Sequence, residues 1–361
     1  MPGAANPLGL EPAQSACLLL VDGLGSELLA AHRPEAPFMA RLLEDSRQLT
    51  TAFPSTTAVS IASLGAGAPP GRHGVVGFTV AIPHFDRTMN VLRWTLHGPG
   101  PHVDLREEVA PESFQPARTV FERAREAGVA TFALGAFEHR RSGLTRAALR
   151  GAEYRGSAGL GDLAGQAVEL LRGAGRRLVY AYHPDLDMTG HMRGVASESW
   201  RLHLRHVDRL VEDVAGGLAR DVLLAVTGDH GMVDVPVDRQ INLDDGAERR
   251  LLDGVRLVGG EPRARHLYVR DGAASEVAAA WRERAGEDAW VLTKEAAIAA
   301  GWFGPEVSDD ARERIGDVVV AARGPLAIVQ PSVFSLEAMM VGHHGSLTDA
   351  ERLVPLLLVR G

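Results

Sequence analysis

The sequence predicts an α/β fold: a mostly parallel central sheet sandwiched by helices, carrying a small inserted α+β domain. Three observations predict it. Short continuous apolar runs recur at 17–21, 129–134, 178–182, 222–226 and 356–359. Strands that are apolar without alternation have both faces covered, which points to a parallel sheet. Amphipathic stretches at 119–126, 163–171 and 200–218 lie between those runs, the ordering expected of helices packed on a sheet. The segment 246–324 breaks the pattern. It is rich in Arg, Glu, Gly and Ala, and its strand-like pieces at 266–269 and 289–292 stand isolated. The expected division is therefore a core of residues 1–245 plus 325–361 and an inserted cap of residues 246–324.

Composition narrows the function. The chain has 361 residues, 45% of them hydrophobic, enough for a large core. A net charge of -8 argues against a nucleic-acid polymer as partner, which calls for a basic face. The positive charge is almost all arginine, with Lys294 the one lysine; no function follows from this. A single cysteine, Cys17, excludes a disulfide framework or a cysteine zinc site within the chain. Residues 1–14 lack the basic start and apolar run of a secretory signal, and 16–21 is too short to span a membrane. A cytoplasmic protein without membrane attachment is expected.

Taken in order, the strand ends carry the chemistry. Ligands of open α/β sheets bind beyond the carboxyl ends of the strands. Asp22 follows the first apolar run and is trailed by Gly23 and Gly25. Next comes a hydroxyl-rich turn and helix start, with Ser55, Thr56, Thr57 and Ser60 all candidates for a nucleophile. A helix N-terminus there would favour phosphate. Asp187 and His191 follow the run at 178–182, four residues apart on one helical face. Asp229 and His230 follow the run at 222–226, and as neighbours at a strand end their side chains are expected to diverge toward different parts of a site. His344 sits on a glycine-flanked loop. Oxygen and imidazole donors suit zinc or a similar divalent ion, and two such ions can clamp the attacking and leaving oxygens of a phosphoryl transfer. His73 and His183 have no evident partner and are read as structural, and Cys17 as inert core.

These landmarks resemble those of the alkaline phosphatase superfamily and, within it, the nucleotide pyrophosphatase/phosphodiesterase group. They run in order: Leu-Val-Asp-Gly at 20–23; Pro-Ser-Thr-Thr at 54–57, then Gly67, Pro70, His73 and Gly74; Asp-Met-Thr-Gly-His at 187–191; Thr-Gly-Asp-His-Gly at 227–231; and Gly-His-His-Gly at 342–345. The resemblance implies an alkaline-phosphatase-like fold. It makes Thr57 the nucleophile and a metal ligand. Asp22, Asp229 and His230 would hold one ion, and Asp187, His191 and His344 the other. Ser60 would contact a phosphate oxygen, in a place where the family usually has asparagine. Asp187 is preferred over Asp185 by its spacing to His191, and His344 over His343 because it directly precedes the glycine.

The function so implied is hydrolysis of a phosphate diester or pyrophosphate bond through a phospho-threonine. Two divalent ions serve it, with zinc expected and manganese or iron as alternatives. The partner is a small phosphate ester, such as a nucleotide. A phosphomonoesterase or phosphonate hydrolase on the same scaffold is the competing reading, since fold does not fix substrate. A non-catalytic metal- or phosphate-binding protein is the third. Sulfatase chemistry is disfavoured, because Cys17 lies in a strand-like run and no sulfatase motif is present.

Overall fold

A computed structural model describes residues 6–361. The first five residues, part of the segment read as lacking a signal, lie outside it. Seven strands form the central sheet: β1 (Ser15–Val21), β2 (Arg47–Thr50), β3 (Ala130–Ala136), β4 (Glu153–Ser157), β5 (Arg177–His183), β6 (Val222–Gly228) and β7 (Leu353–Arg360). Their order is β2-β7-β6-β1-β5-β3-β4. The five from β6 to β4 are mutually parallel. The last run of the sequence is the exception, because β7 enters antiparallel between β6 and β2. Leu356 and Leu357 of that run are buried while Leu358 is exposed, and an apolar run carries no sign of direction.

The helices that position the site are α1 (Thr57–Ala66), α2 (Val120–Glu126), α3 (Leu160–Arg172), α4 (Asp185–Arg193) and α5 (Glu198–Gly216). Alternation along β1 divides the core. Cys17, Leu19 and Val21 pack under α3 and α5, with Leu163, Leu170, Trp200 and Val207. Leu18 and Leu20 face the other way, toward Ala58, Val59 and Ala62 of α1 and Phe121 of α2. The sheet is therefore covered on both faces, as its unbroken apolar strands require. Local signals set the helix starts. Thr119 and Glu122 form a reciprocal capping box at α2, and the Ser197 hydroxyl accepts the Trp200 N–H at α5.

Within the segment expected as a cap, the strand-like pieces are not isolated. Val255–Glu261, Ala264–Val269, Val318–Ala322 and Ala289–Thr293 pair in that order as a four-stranded antiparallel sheet. One face packs on Trp281 and Val277. From the other, Val319 and Ala321 join the cluster that holds Val59 and Phe53. Among the described residues no helix is long and apolar enough to cross a membrane.

Candidate active site

Register brings the site together. Val21 pairs with His183 on one side and with Gly228 on the other, so three adjacent strands end level. The residues that follow these ends are Asp22, the Pro184 turn into α4, and Asp229 with His230. Gly23 turns the chain with φ 74°, and a Cβ there would lie 3.1 Å from the Cα of Asp187; only glycine meets both conditions. Its N–H donates to Asp229 Oδ1 at 3.0 Å.

Two triads result, Asp22/Asp229/His230 and Asp187/His191/His344, and the ligand atoms of each lie within 4.8 Å of one another. In the first, His230 Nε2 is 3.3 Å from Asp22 Oδ1 and 3.5 Å from Asp229 Oδ2. In the second, His191 Nε2 is 3.3 Å from Asp187 Oδ2 and 3.2 Å from His344 Nε2. The rings of His230 and His344 stack at 3.6 Å and join the triads. Asp229 and His230 thus converge on one triad rather than diverging, because the Asp229 side chain folds back to accept the His230 N–H at 3.0 Å.

The donor set fits divalent ions. Asp22 Oδ1, Asp187 Oδ1 and Asp229 Oδ2 are buried without a hydrogen-bond partner, a costly state for carboxylates. Each histidine has its Nδ1 against a backbone carbonyl: Gly342 for His191 at 2.7 Å, Gly231 for His230 at 2.9 Å, and Ser55 for His344 at 2.9 Å. A carbonyl demands N–H at Nδ1, so all three Nε2 atoms face the triads, the orientation in which metal-ligating imidazoles are held. Burial drives the carboxyls of Asp22 and Asp229 well up. It opposes a charged His191 too, but adjacent Asp187 outweighs this and lifts that imidazole to about 9. Burial sends His344 the other way, well down.

Thr57 opens α1. Its Oγ1 lies 3.3 Å from His230 Nε2 and 3.5 Å from Asp22 Oδ2, while the Tyr182 hydroxyl donates to that same Asp22 oxygen. Ser55 is turned away, its hydroxyl on the Ser346 carbonyl at 2.7 Å. Ser60 corrects the sequence reading. Its hydroxyl is buried and donates to the Asp229 carbonyl at 2.7 Å, so the proton meant for phosphate is already engaged. One turn along α1 from Thr57, the side chain points down into the sheet end instead of out into the cleft. Ser60→Ala is expected to cost about 1–3 kcal/mol of stability, the range for an orphaned buried acceptor, and to change KM less than about 3-fold; a tenfold rise in KM would restore the phosphate contact. Asp185 is exposed and His343 lies outside both triads. His73 holds the turn after α1, with Nε2 2.9 Å from Ser63 Oγ and Nδ1 accepting the Val75 N–H.

Two connected cavities reach Thr57 and Asp187. One of about 690 Å³ adds Tyr154, Tyr182 and Arg106. The other, of about 420 Å³, adds Phe78, Asn90, Phe334 and Glu261. Sequence reasoning missed Asn90, Arg93 and Glu261. Asn90 ends the two-residue strand Met89–Asn90, Arg93 lies in the turn that follows, and Glu261 lies in the segment read as a separate cap, so no local pattern marked them.

Glu261 has both carboxyl oxygens buried and unpartnered, and burial pushes it up to about 8 from an ordinary 4.5. Between those pH values the metal-free folded chain keeps a proton that the unfolded chain has released. Stability conferred by that proton is full at low pH and is lost as pH rises toward 8. Glu261→Gln is therefore expected to raise the Tm of the metal-free protein above pH 8 and leave it unchanged near pH 5. Parallel Tm curves for the two proteins across that window would refute the assignment.

Comparison with known proteins follows the same outline. The family model described as type I phosphodiesterase / nucleotide pyrophosphatase matches residues 16–347. None of the curated proteins matches the chain in sequence. Among solved structures, murine ectonucleotide pyrophosphatase/phosphodiesterase 5, as an inactive threonine-to-alanine form in complex with AMP, aligns with TM-score 0.70 and 18% identity, over 96% of this chain and 87% of that one. Phosphonoacetate hydrolase from Sinorhizobium meliloti, in complex with phosphonoformate, gives TM-score 0.69 and 20% identity over 97% and 90%. Human ectonucleotide pyrophosphatase/phosphodiesterase 5 gives 0.69 and 19% over 96% and 88%. At such identities the likeness speaks for a common fold.

Proposed function

The chain belongs to the type I phosphodiesterase/nucleotide pyrophosphatase family, a family of hydrolases, and from that membership we propose that it hydrolyses phosphate diester or pyrophosphate bonds through a phospho-threonine at Thr57. The observation that carries this reading is the pair of triads flanking the Thr57 hydroxyl, with three histidines each fixed at Nδ1. Asp22, Asp229 and His230 would hold one divalent ion and Asp187, His191 and His344 the other, zinc by preference and manganese or iron otherwise. Such ions, when bound, supply positive charge for the attacking and departing oxygens.

The chain's own groups supply the rest. Thr57 Oγ1 attacks phosphorus, a Thr57–O–P bond forms, and the bond to the departing oxygen breaks. Asp22 Oδ2, 3.5 Å away, is the acceptor placed to draw off the hydroxyl proton. The first N–H groups of α1 lack helical acceptors and would be free to donate to the phosphoryl oxygens. Asn90 lines the same cavity as Thr57 and offers an amide to one of those oxygens. Water then attacks the phospho-threonine, releasing phosphate or a phosphate monoester and restoring the hydroxyl.

A second reading, a phosphonate hydrolase, is favoured by the arginines that line the larger cavity, which suit a small substrate carrying several charges. Zinc-loaded protein assayed on bis(4-nitrophenyl) phosphate, 4-nitrophenyl phosphate and phosphonoacetate separates the readings. The diester should be turned over fastest. A clear preference for the monoester or the phosphonate would overturn the diesterase reading.

A further inference from the structure

Of the arginines lining the two cavities, one is engaged and one is free. Arg106 donates to both oxygens of Asp104, at 2.9 and 3.0 Å, and to the Arg141 carbonyl at 2.9 Å. Its charge is answered within the protein. Arg93 lines both cavities together with Thr57 and Asp187. Its side chain is exposed, and it forms no ion pair or side-chain hydrogen bond among the described residues.

The backbone that carries Arg93 is firmly set. The turn joins Met89–Asn90 to Thr95–Leu96, an antiparallel pair. Asn90 Oδ1 accepts the Arg93 N–H at 3.0 Å, and the Asn90 carbonyl accepts the Trp94 N–H at 2.7 Å. Trp94 takes φ 58°, a left-handed conformation that a bulky residue adopts only when its surroundings impose it. Here they do. The indole is fully buried, donates from Nε1 to the Val109 carbonyl at 2.7 Å, and meets Phe114 edge-on at 5.2 Å. Strain of this kind gathers at ligand clamps. It fixes the backbone from which Arg93 lines both cavities, and leaves the guanidinium donors unspent.

A cation so placed is not needed for the phosphoryl group alone, which on the reading above would meet the α1 N-terminus and the triads. The geometry points to Arg93 as the specificity residue for a substrate bearing a second anionic group, a phosphate or a carboxylate, next to the phosphorus under attack. The inference rests on the hydrolase reading above. A planar guanidinium with five N–H donors matches either anion in bidentate fashion. The remaining charged lining of the larger cavity, Glu138 and Asp185, would repel that second anion if Arg93 were absent.

The test compares wild type, Arg93→Ala and Arg93→Lys, each loaded with zinc, on three probes. Bis(4-nitrophenyl) phosphate has no second anion, ADP has a second phosphate, and phosphonoacetate has a carboxylate. Arg93→Ala should lower kcat/KM about 10- to 100-fold on the anionic probe that wild type turns over, the range of a charge-assisted hydrogen bond. The loss should fall mainly on KM. The diaryl ester should change less than about 3-fold, and Arg93→Lys should recover part of the loss. The anionic probe that responds identifies the second group. Equal losses on all probes would mean that Arg93 binds the phosphoryl group they share, and would overturn the inference. So would wild-type turnover of the diaryl ester alone. A wild type inert on all three probes would overturn the hydrolase reading as well, and only that outcome touches it. Arg93 is exposed on a turn, so the variants keep the core intact, which circular dichroism checks.

Discussion

Thr57→Ala should abolish turnover, by at least about 10³-fold in kcat, the order seen when a covalent nucleophile is removed, while the protein still takes up its metal. Both halves of that expectation follow from where Thr57 sits. Its Oγ1 is the hydroxyl between Asp22 Oδ2 and His230 Nε2. Ser55, on the loop before α1, is committed to Ser346, and Ser60 is committed to Asp229. No nearby serine can take over the attack. Asp229 and the three histidines do not depend on the Thr57 hydroxyl for their positions, since backbone donors and Nδ1 anchors hold them, and Asp22 keeps the Tyr182 hydroxyl as a second partner. The variant should therefore bind metal with wild-type stoichiometry, read by elemental analysis after gel filtration, yet fail to accumulate a phosphorylated chain when quenched with substrate. Retained activity above about a tenth of wild type would move the nucleophile to Thr56. Loss of metal together with activity would mean that the oxygen is needed chiefly as a ligand.

Much of this site is legible in the sequence because its residues follow strand ends. Asp22, Asp187, Asp229 and His230 each come directly after, or one turn beyond, an apolar run. Three of those runs are adjacent in a parallel sheet, so proximity follows from the fold class alone. His344 was found through its glycine-flanked motif, since a loop residue far along the chain carries no periodic signal. What escaped has a common physical reason. Ser60 has the right residue type in the right helix, but its hydrogen bond depends on which face of α1 meets the Asp229 carbonyl, a tertiary fact. Asn90 ends a two-residue strand and Arg93 sits on the turn after it, beside one buried tryptophan, without a pattern of period 2 or 3.6. Glu261 lies on a strand of the four-stranded sheet and reaches the site only because that sheet packs against the α1 side of the core. The direction of β7 was equally hidden, as it follows from the path of the chain into the sheet rather than from the residues of the strand.

Removing metal, or one ligand charge, should produce effects of opposite sign in the presence and absence of zinc. Asp229 is 1% exposed. Its Oδ1 accepts the Gly23 and His230 N–H groups, while Oδ2 has no hydrogen-bond partner. In metal-free protein the buried carboxyl is a liability, driven well up by burial and by Asp22 beside it. Asp229→Asn keeps an oxygen for the two N–H groups and discards the charge, so the metal-free variant should melt above metal-free wild type. With zinc the order should reverse. Wild type gains stability as RT ln(1 + [L]/Kd), and the variant, with one triad broken, gains less and holds about one ion fewer. Activity should fall by about 10³-fold or more, the scale on which loss of electrostatic stabilisation at a reacting oxygen is felt. Chelation of wild type should abolish activity, and added zinc should restore it. Asp229→Ala is the harsher change, since it also strands two buried N–H donors at about 1–3 kcal/mol each, and it should be less stable than wild type under both conditions. Melting curves of the three proteins, with and without zinc, carry the test. An Asn variant that melts below wild type in both states would show that Asp229 serves the fold rather than a metal, and the two-triad reading would fall with it.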